Sequence, residues 1–273
     1  MWSCPACAQP LHFNRQQWRC DNQHCFDVAK EGYVNLLLAN QKHSALPGDS
    51  KLMINARREF LDQEYYLPLA QRIAQLISEN VKSQQIDLHD AGCGEGYYLH
   101  KVAEFLGQSG IETASTGSDI SKTAAAKASK KYTSLNFAVA SSFNLPKRDD
   151  SVDVLLQVFA PADKGEIGRV LKADGLWLTV TPGPSHLLEL KKNLYDTVLM
   201  HEQSDQVPEG FALVTKKPLV LQMTLADVKA RENLLKMTPF YWAAKASERQ
   251  SIIDGMGNVT AEFVLTVLQK VRP

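Results

Sequence analysis

The chain has 273 residues, with thirty Lys and Arg balancing thirty Asp and Glu, so its formal net charge is zero. That balance excludes the uniformly basic surface of a nonspecific nucleic-acid binder and requires any basic face to be local. Charged residues make up 22% and apolar residues 44%, an ordinary globular proportion. No apolar run approaches the roughly 20 residues of a membrane span. The opening Met-Trp-Ser-Cys-Pro has no basic stretch ahead of an apolar core, so no signal peptide is expected and the expected compartment is the cytoplasm.

Four of the five cysteines fall in the first 25 residues: Cys4, Cys7, Cys20 and Cys25. Cys4-Pro5-Ala6-Cys7 is one C-x-x-C knuckle. Cys20 begins a second, closed by His24 or by Cys25. This spacing suits a structural zinc ion held by two ligand pairs, and a segment so short needs the metal in place of a core. A disulfide framework does not suit a reducing compartment. Spacing alone leaves the fourth ligand open between His24 and Cys25. Phe26 to Leu37 follows, with Lys30 and Tyr33 as candidates for meeting a nucleic acid; packing on the next domain is the simpler reading.

Residues 40–50 are polar and contain Pro47-Gly48, the signature of a loop. Asp49 or Ser50 can cap the next helix, in which Met53, Ala56, Phe60 and Leu61 recur near helical spacing. Arg57-Arg58 on that helix is either a solvated face or a phosphate contact. A second helix is expected over Leu67 to Asn80, with Leu69, Ile73, Leu76 and Ile77 on one face. Of Tyr65 and Tyr66 just before it, packing accounts for one, and the other is a candidate to reach a ligand.

The stretch Asp87-Leu88-His89-Asp90-Ala91-Gly92-Cys93-Gly94-Glu95-Gly96-Tyr97 reads as a strand, a glycine-rich turn and a helix start. Glycine permits φ > 0 and close approach of a ligand, and the helix turns its free N–H groups back toward the loop. A glycine run alone also fits a tight structural turn. Two acids narrow the reading. Asp90 and Glu95 suit a cationic ligand and would repel a pyrophosphate. Asp119 ends the next apolar run at the position of a ribose-binding carboxylate in a βαβ unit. Together these resemble the S-adenosylmethionine site of Rossmann-like methyltransferases, whose pattern is hydrophobic-Asp-hydrophobic-Gly-x-Gly-x-Gly.

Ser121 can cap an alanine-rich helix over 122–131. Strands are expected over 136–140, followed by Ser141-Ser142 where adenine is met in such folds, and over 152–159, whose near-continuous apolar character suits a buried parallel strand. A helix over 163–171, a turn at 172–175 and a strand over 176–180 follow. The alternation predicts a doubly wound α/β sheet. Amino-directed nucleic-acid methyltransferases carry Asp/Asn-Pro-Pro-Tyr/Phe after the fourth strand. Here Phe159-Ala160-Pro161-Ala162 stands instead, which disfavours an exocyclic amine. Cys93 is the only cysteine after residue 25, so no nucleophile for pyrimidine carbon-5 chemistry is evident. Thr181 to Lys191 begins with a rigid Pro-Gly-Pro loop, Ser185 as a helix start and His186 as a candidate for cofactor contact or proton handling. Two closing strands, 212–225 and 261–271, flank a helix over 226–235. Met237-Thr238-Pro239-Phe240-Tyr241-Trp242 is either core or a wall of the acceptor pocket.

Taken together, the knuckle at 4–7, Phe26 to Leu37, Pro47-Gly48-Asp49-Ser50, Ala56-Arg57-Arg58, Gly92 to Tyr98, Thr181 to Leu187 and Met237 to Phe240 resemble the bacterial 23S rRNA guanine-N1 methyltransferases. The resemblance implies a Rossmann-like methyltransferase sheet with an N-terminal zinc module, divided as zinc-binding RNA-recognition module 1–37, linker and covering helices 38–84, and methyltransferase domain 85–273. It implies zinc on Cys4, Cys7, Cys20 and His24, with Cys25 the alternative, and cofactor contacts at Tyr66, Gly94, Glu95 and His186. Asp90, Gly92, Gly96, Asp119 and Ser141 complete the expected cofactor set. It also implies a homodimer that receives a hairpin of 23S rRNA, with guanine 745 favoured. The expected reaction carries a methyl group from S-adenosylmethionine to guanine N1. N1 must lose a proton and the base must be unpaired or flipped out; His186 and Asp163 are the candidate bases. Phe159, Pro161 and Trp242 are candidates to stack on the guanine, and Lys30, Arg57 and Arg58 to contact phosphate. The rival readings are a small-molecule or tRNA methyltransferase, and a zinc-ribbon RNA-binding adaptor without activity. The zinc module argues against a small acceptor, and the intact acids and glycines argue against an inert adaptor.

Overall fold

The computed structural model describes residues 1–41, 48–194, 198 and 200–271. Pro47, the first residue of the expected Pro47–Ser50 segment, lies outside the described residues. The N-terminal module is a three-stranded antiparallel sheet of β1 (His12–Asn14), β2 (Gln17–Arg19) and β3 (Cys25–Asp27). Strands this short bury little. Trp2, Cys4, Leu11, Cys20, Val34 and Leu36 form one small cluster, and it is completed by Ala138 of the larger unit. The module is therefore closed against its neighbour. β4 (Val34–Asn35) pairs in parallel with β7 (Asn136–Val139), so the module supplies an edge strand to the main sheet. Tyr33, beside β4, is buried in the main core. Of the two readings of this segment the structure shows the packing one for Tyr33, and its candidacy to meet RNA is corrected: its ring is spent on packing.

Two helices follow, α1 (Lys51–Leu61) and α2 (Leu67–Asn80). Ser50 Oγ accepts from the Met53 N–H at 3.3 Å and so caps α1, relieving one of the unpaired donors of a helix start. The apolar residues Leu69, Ile73, Leu76 and Ile77 of α2 are buried as the spacing predicts. The Rossmann-like unit then runs β5 (Gln85–Ala91), α3 (Tyr97–Gln108), β6 (Glu112–Asp119), α4 (Lys122–Lys131), β7, β8 (Val152–Val158), α5 (Lys164–Val170), β9 (Leu171–Pro182) and α6 (Leu188–Lys192). It closes with β10 (Phe211–Thr224), α7 (Val228–Lys236), α8 (Phe240–Ala243), α9 (Arg249–Gly255) and β11 (Asn258–Lys270). The sheet order is β10-β11-β9-β8-β5-β6-β7-β4. From β4 to β9 all pairings are parallel; β11 and β10 add an antiparallel hairpin at one edge.

β5 is flanked by β6 on one side and β8 on the other. The chain reverses its direction of winding there, which opens a crevice at the carboxyl ends of these strands. Two local details differ from the sequence reading. The expected turn at 172–175 is a bulge within β9: Val152 pairs with Leu171, Val154 with Leu176, and Asp174 takes φ +65°. α6 begins at Leu188 rather than at Ser185, because Leu187 adopts φ +53° and Ser185 only closes a turn through its carbonyl.

Candidate active site and metal centre

In the N-terminal module the ligand atoms of Cys4, Cys7, Cys20 and His24 lie within 4.8 Å of one another. Cys7 Sγ is 3.7 Å from Cys20 Sγ, and His24 Nδ1 is 3.5 Å from both Cys4 Sγ and Cys20 Sγ. A tetrahedral zinc ion with ordinary bond lengths needs edges of about 3.8 Å between sulfurs and about 3.5 Å between sulfur and nitrogen. The donor set fits a structural zinc ion. Cys25 does not share it: strand alternation turns its exposed Sγ outward, where it donates to Gln17 Oε1 at 3.0 Å. The ambiguity left by spacing is resolved in favour of His24.

The crevice beside β5 is a cavity of about 840 Å3. Its floor is the glycine turn. Gly92, Gly94 and Gly96 take φ of +80°, +56° and +89°, a region that costs other residues about 1–2 kcal/mol. A Cβ on Gly92 would stand 2.3 Å from Ala160 Cβ, and one on Gly96 would press on Phe137, Tyr132 and Ala128. These two glycines let neighbouring elements close in. Gly94 instead meets, among the described residues beyond its chain neighbours, only the Arg57 guanidinium, 4.0 Å away. The Gly92 and Cys93 amides donate to the Ser118 carbonyl, and the Gly94 amide donates to Asp119 Oδ2 at 2.9 Å. Asp119 Oδ1 accepts from the Ser121 amide at 2.7 Å. The end of β6 thus fixes the turn that follows β5.

The cavity is acidic at its base. Among the described residues, buried Asp90 has no hydrogen-bond partner for Oδ1, and buried Glu95 has none for either oxygen. Burial, reinforced by the neighbouring Asp119, pushes Asp90 up to about 8. Burial pushes Glu95 up to about 7 against the opposing charge of Lys131, whose Nζ is 3.9 Å away. The hydroxyls of Tyr66 and Tyr97 are also buried without partners among the described residues. Unsatisfied buried carboxylates cost several kcal/mol in general terms, so this floor is complementary to a cation with further donors. The ammonium, sulfonium and ribose hydroxyls of S-adenosylmethionine supply that combination, and the residues present fit it. Ser141 lines the same cavity beyond β7, its Oγ accepting from the Phe143 amide.

The far wall carries Phe159, His186 and the Met237–Phe240 segment. Phe159 stands at the end of β8 with φ +55° and is 43% exposed. Its turn is held by Gln157, whose side chain donates to the Ala160 carbonyl and accepts from Trp177 Nε1. His186 Nδ1 donates to the Glu262 carbonyl at 2.8 Å, which leaves Nε2 as the acceptor. Burial lowers His186 to about 4, so the imidazole is neutral at pH 7.

Several expected site residues lie elsewhere. Asp163 caps α5 by accepting from the Glu166 amide at 2.9 Å, and it is not in the cavity wall. Its reading as a base is corrected: it is spent on a helix start. Trp242 is 57% exposed and outside the cavity wall, packed edge-on with Tyr241. Arg58 lies 3.9 Å from Asp62, and Lys30 is solvent-exposed beside Glu31. Arg57, expected at phosphate, instead lines the cavity. Asp49, Gln157 and His201 line it too and were not singled out as site residues. For Gln157 a signal existed, a polar residue near the end of an apolar strand. For Asp49 and His201, in loops, none did.

Residues 2–45 match the family model described as "RlmA, N-terminal", and residues 89–175 match "Methyltransferase domain". The chain is 34% identical to the 23S rRNA (guanine(748)-N(1))-methyltransferase of Streptomyces fradiae over 97% of its own length and 95% of that protein. It is 32% identical to a Bacillus subtilis protein named, provisionally, a 23S rRNA (guanine-N(1)-)-methyltransferase, over 94% of this chain and 92% of that one. Among solved structures, a provisionally described methyltransferase from Bacillus halodurans superposes with a TM-score of 0.50 at 16% identity. That match covers 73% of this chain and 99% of the other, and the likeness is one of fold.

Proposed function

The chain belongs to the 23S rRNA (guanine-N1)-methyltransferase family, and from that premise we propose that it transfers the methyl group of S-adenosylmethionine to N1 of a guanine in a hairpin loop of 23S rRNA. The observation that carries the cofactor half is the pair of buried carboxylates, Asp90 and Glu95, with oxygens left without a hydrogen bond among the described residues, beneath the three left-handed glycines. When bound, S-adenosylmethionine supplies the electrophilic methyl group. Asp90 and Glu95 hold the cationic end, Asp119 orients the ribose, Tyr66 and Ser141 complete the enclosure, and the apolar wall excludes water. Transfer of this kind depends on alignment more than on covalent help.

The guanine enters from the side of Phe159. Its exposed ring, held by a left-handed turn, is placed to stack on a base taken out of the helix; Pro161 stands beside it. His186 presents a neutral Nε2 as acceptor toward this end. Its lowered basicity suits it to accept a hydrogen bond from N1–H and so orient the guanine, while the proton released on methyl transfer passes to solvent. The zinc ribbon contributes RNA contacts outside the cavity, with Lys30 and Arg58 at phosphate. The cytoplasm is the compartment this reading implies, because an rRNA acceptor is found there. The homodimer is carried by family resemblance, and the exposed Leu213, Val214 and Val220 on the outer strand β10 give it an apolar face. Guanine 745 is the favoured position. The Streptomyces relative named for guanine 748 makes that nearby base the rival.

The test in vitro is incubation of purified chain with S-adenosylmethionine and an RNA carrying the hairpin, followed by reverse transcription. N1 methylation spoils the pairing edge and stops the enzyme. A cofactor-dependent stop at one guanine, lost in Phe159→Ala with S-adenosylhomocysteine binding retained, is expected. Methyl transfer to RNA without any such stop would rule out N1 as the acceptor.

A further inference from the structure

On α1 the residues Met53, Arg57 and Leu61 recur every four positions, and all three line the cavity. This stripe puts one arginine on a face otherwise apolar. Among the described lining residues Arg57 is the only arginine or lysine, set against Asp49, Asp90, Glu95 and Asp119. Its placement is specific. Among the described residues, chain neighbours aside, Arg57 is the only side chain within 4 Å of the point where a Cβ on Gly94 would stand, at the open part of the glycine turn. Its guanidinium is also held: Nη1 pairs with Asp49 Oδ2 at 2.5 Å, and Nη2 donates to the Met237 carbonyl at 3.3 Å. α1 is itself fixed by packing on α7. Among the described residues two of the five N–H donors are used in aiming the group, and a planar fork remains suited to a carboxylate.

We propose that Arg57 is the residue that receives the carboxylate of the cofactor's methionine tail. The inference deepens the cofactor reading above and rests on it. S-Adenosylmethionine carries one anionic group and two cationic ones. The buried acids answer the cations; a cavity with four carboxylates and no cation would repel the anion. Arg57 answers it from across the open glycine, so the tail is gripped at both ends and the sulfonium is held in line. Asp49 has a positioning role: it keeps the guanidinium over the loop while the site is empty.

The test is a binding cycle on the full chain with S-adenosylmethionine and decarboxylated S-adenosylmethionine, which keeps both cationic centres and lacks only the carboxylate. Wild type is expected to bind the decarboxylated form about 10- to 100-fold more weakly, the range of a charge-assisted hydrogen-bond pair. Arg57→Gln is expected to weaken S-adenosylmethionine by a similar factor and to erase the difference between the two ligands. Arg57→Lys, which keeps the charge without the fork, is expected to restore part of it. The proposal is overturned if wild type binds both ligands equally, or if Arg57→Gln still prefers the carboxylated one. A wild-type chain that bound neither ligand would instead overturn the cofactor reading itself, so the two failures are told apart.

Discussion

At the scale of single residues, the site is built from groups that the empty fold leaves dissatisfied. Asp90 is buried, and burial holds its folded value near 8 against an ordinary 3.8. Below the ordinary value both folded and unfolded chains are protonated, and ionisation of Asp90 adds no cost to folding. As pH rises from about 4 toward about 8 the unfolded chain releases this proton and the folded chain keeps it, so folding is progressively disfavoured. Asp90→Asn removes that liability. Its ligand-free form is expected to melt higher than wild type, with a gap that opens between pH 5 and 8, levels off above 8, and reaches on the order of 1–3 kcal/mol. Its affinity for S-adenosylhomocysteine should fall at the same time. A gap independent of pH in thermal melts would show that Asp90 is not the buried acid described. The identity of such residues was legible in the sequence because glycine spacing and acid placement are local. The place of Arg57 in the cavity lining was not: whether an arginine on an amphipathic helix looks outward or into a cavity depends on what packs beside it, here α7.

At the scale of elements, the zinc module and the main sheet share structure. Cys4, Cys7, Cys20 and His24 hold short strands that have almost no core of their own, and β4 then leaves the module to pair with β7. Loss of the metal should therefore be felt beyond the module. His24→Ala or Cys20→Ser is expected to lose bound zinc and to lower stability by several kcal/mol, in the order of magnitude of structural zinc sites. Cys25→Ser should keep one zinc per chain and the wild-type melting temperature. Metal analysis alongside calorimetry checks both; loss of zinc from Cys25→Ser would contradict the ligand assignment. Most helix and strand positions were legible, α2 and α4 to the residue, because caps and apolar periodicity mark them. β4 was not, because two residues carry no periodicity and their partner lies about a hundred positions away. The bulge in β9 was read as a turn because Lys172-Ala173-Asp174-Gly175 has turn chemistry; the strand absorbs it by letting Asp174 adopt a left-handed conformation.

At the scale of the whole molecule, one crevice at the β5–β8 switch joins a cationic-ligand floor to an aromatic rim, and a zinc module is sewn to the far edge of the same sheet. A small acceptor would need the crevice alone. Similarity to the Streptomyces 23S rRNA methyltransferase runs through the ribbon as well as the catalytic sheet, over 97% of the chain, which is the basis for proposing that both parts serve an rRNA acceptor. The account therefore stands or falls on the modified nucleotide. The most direct measurement is primer extension along 23S rRNA from cells with the gene deleted and from cells rescued with wild-type or Asp90→Asn copies. A stop at guanine 745 that disappears on deletion, returns with wild type and stays absent with Asp90→Asn is expected. A stop at guanine 748 under the same controls would keep the reaction and move its position. A 23S rRNA profile unchanged by deletion would contradict the assignment of this chain to rRNA methylation.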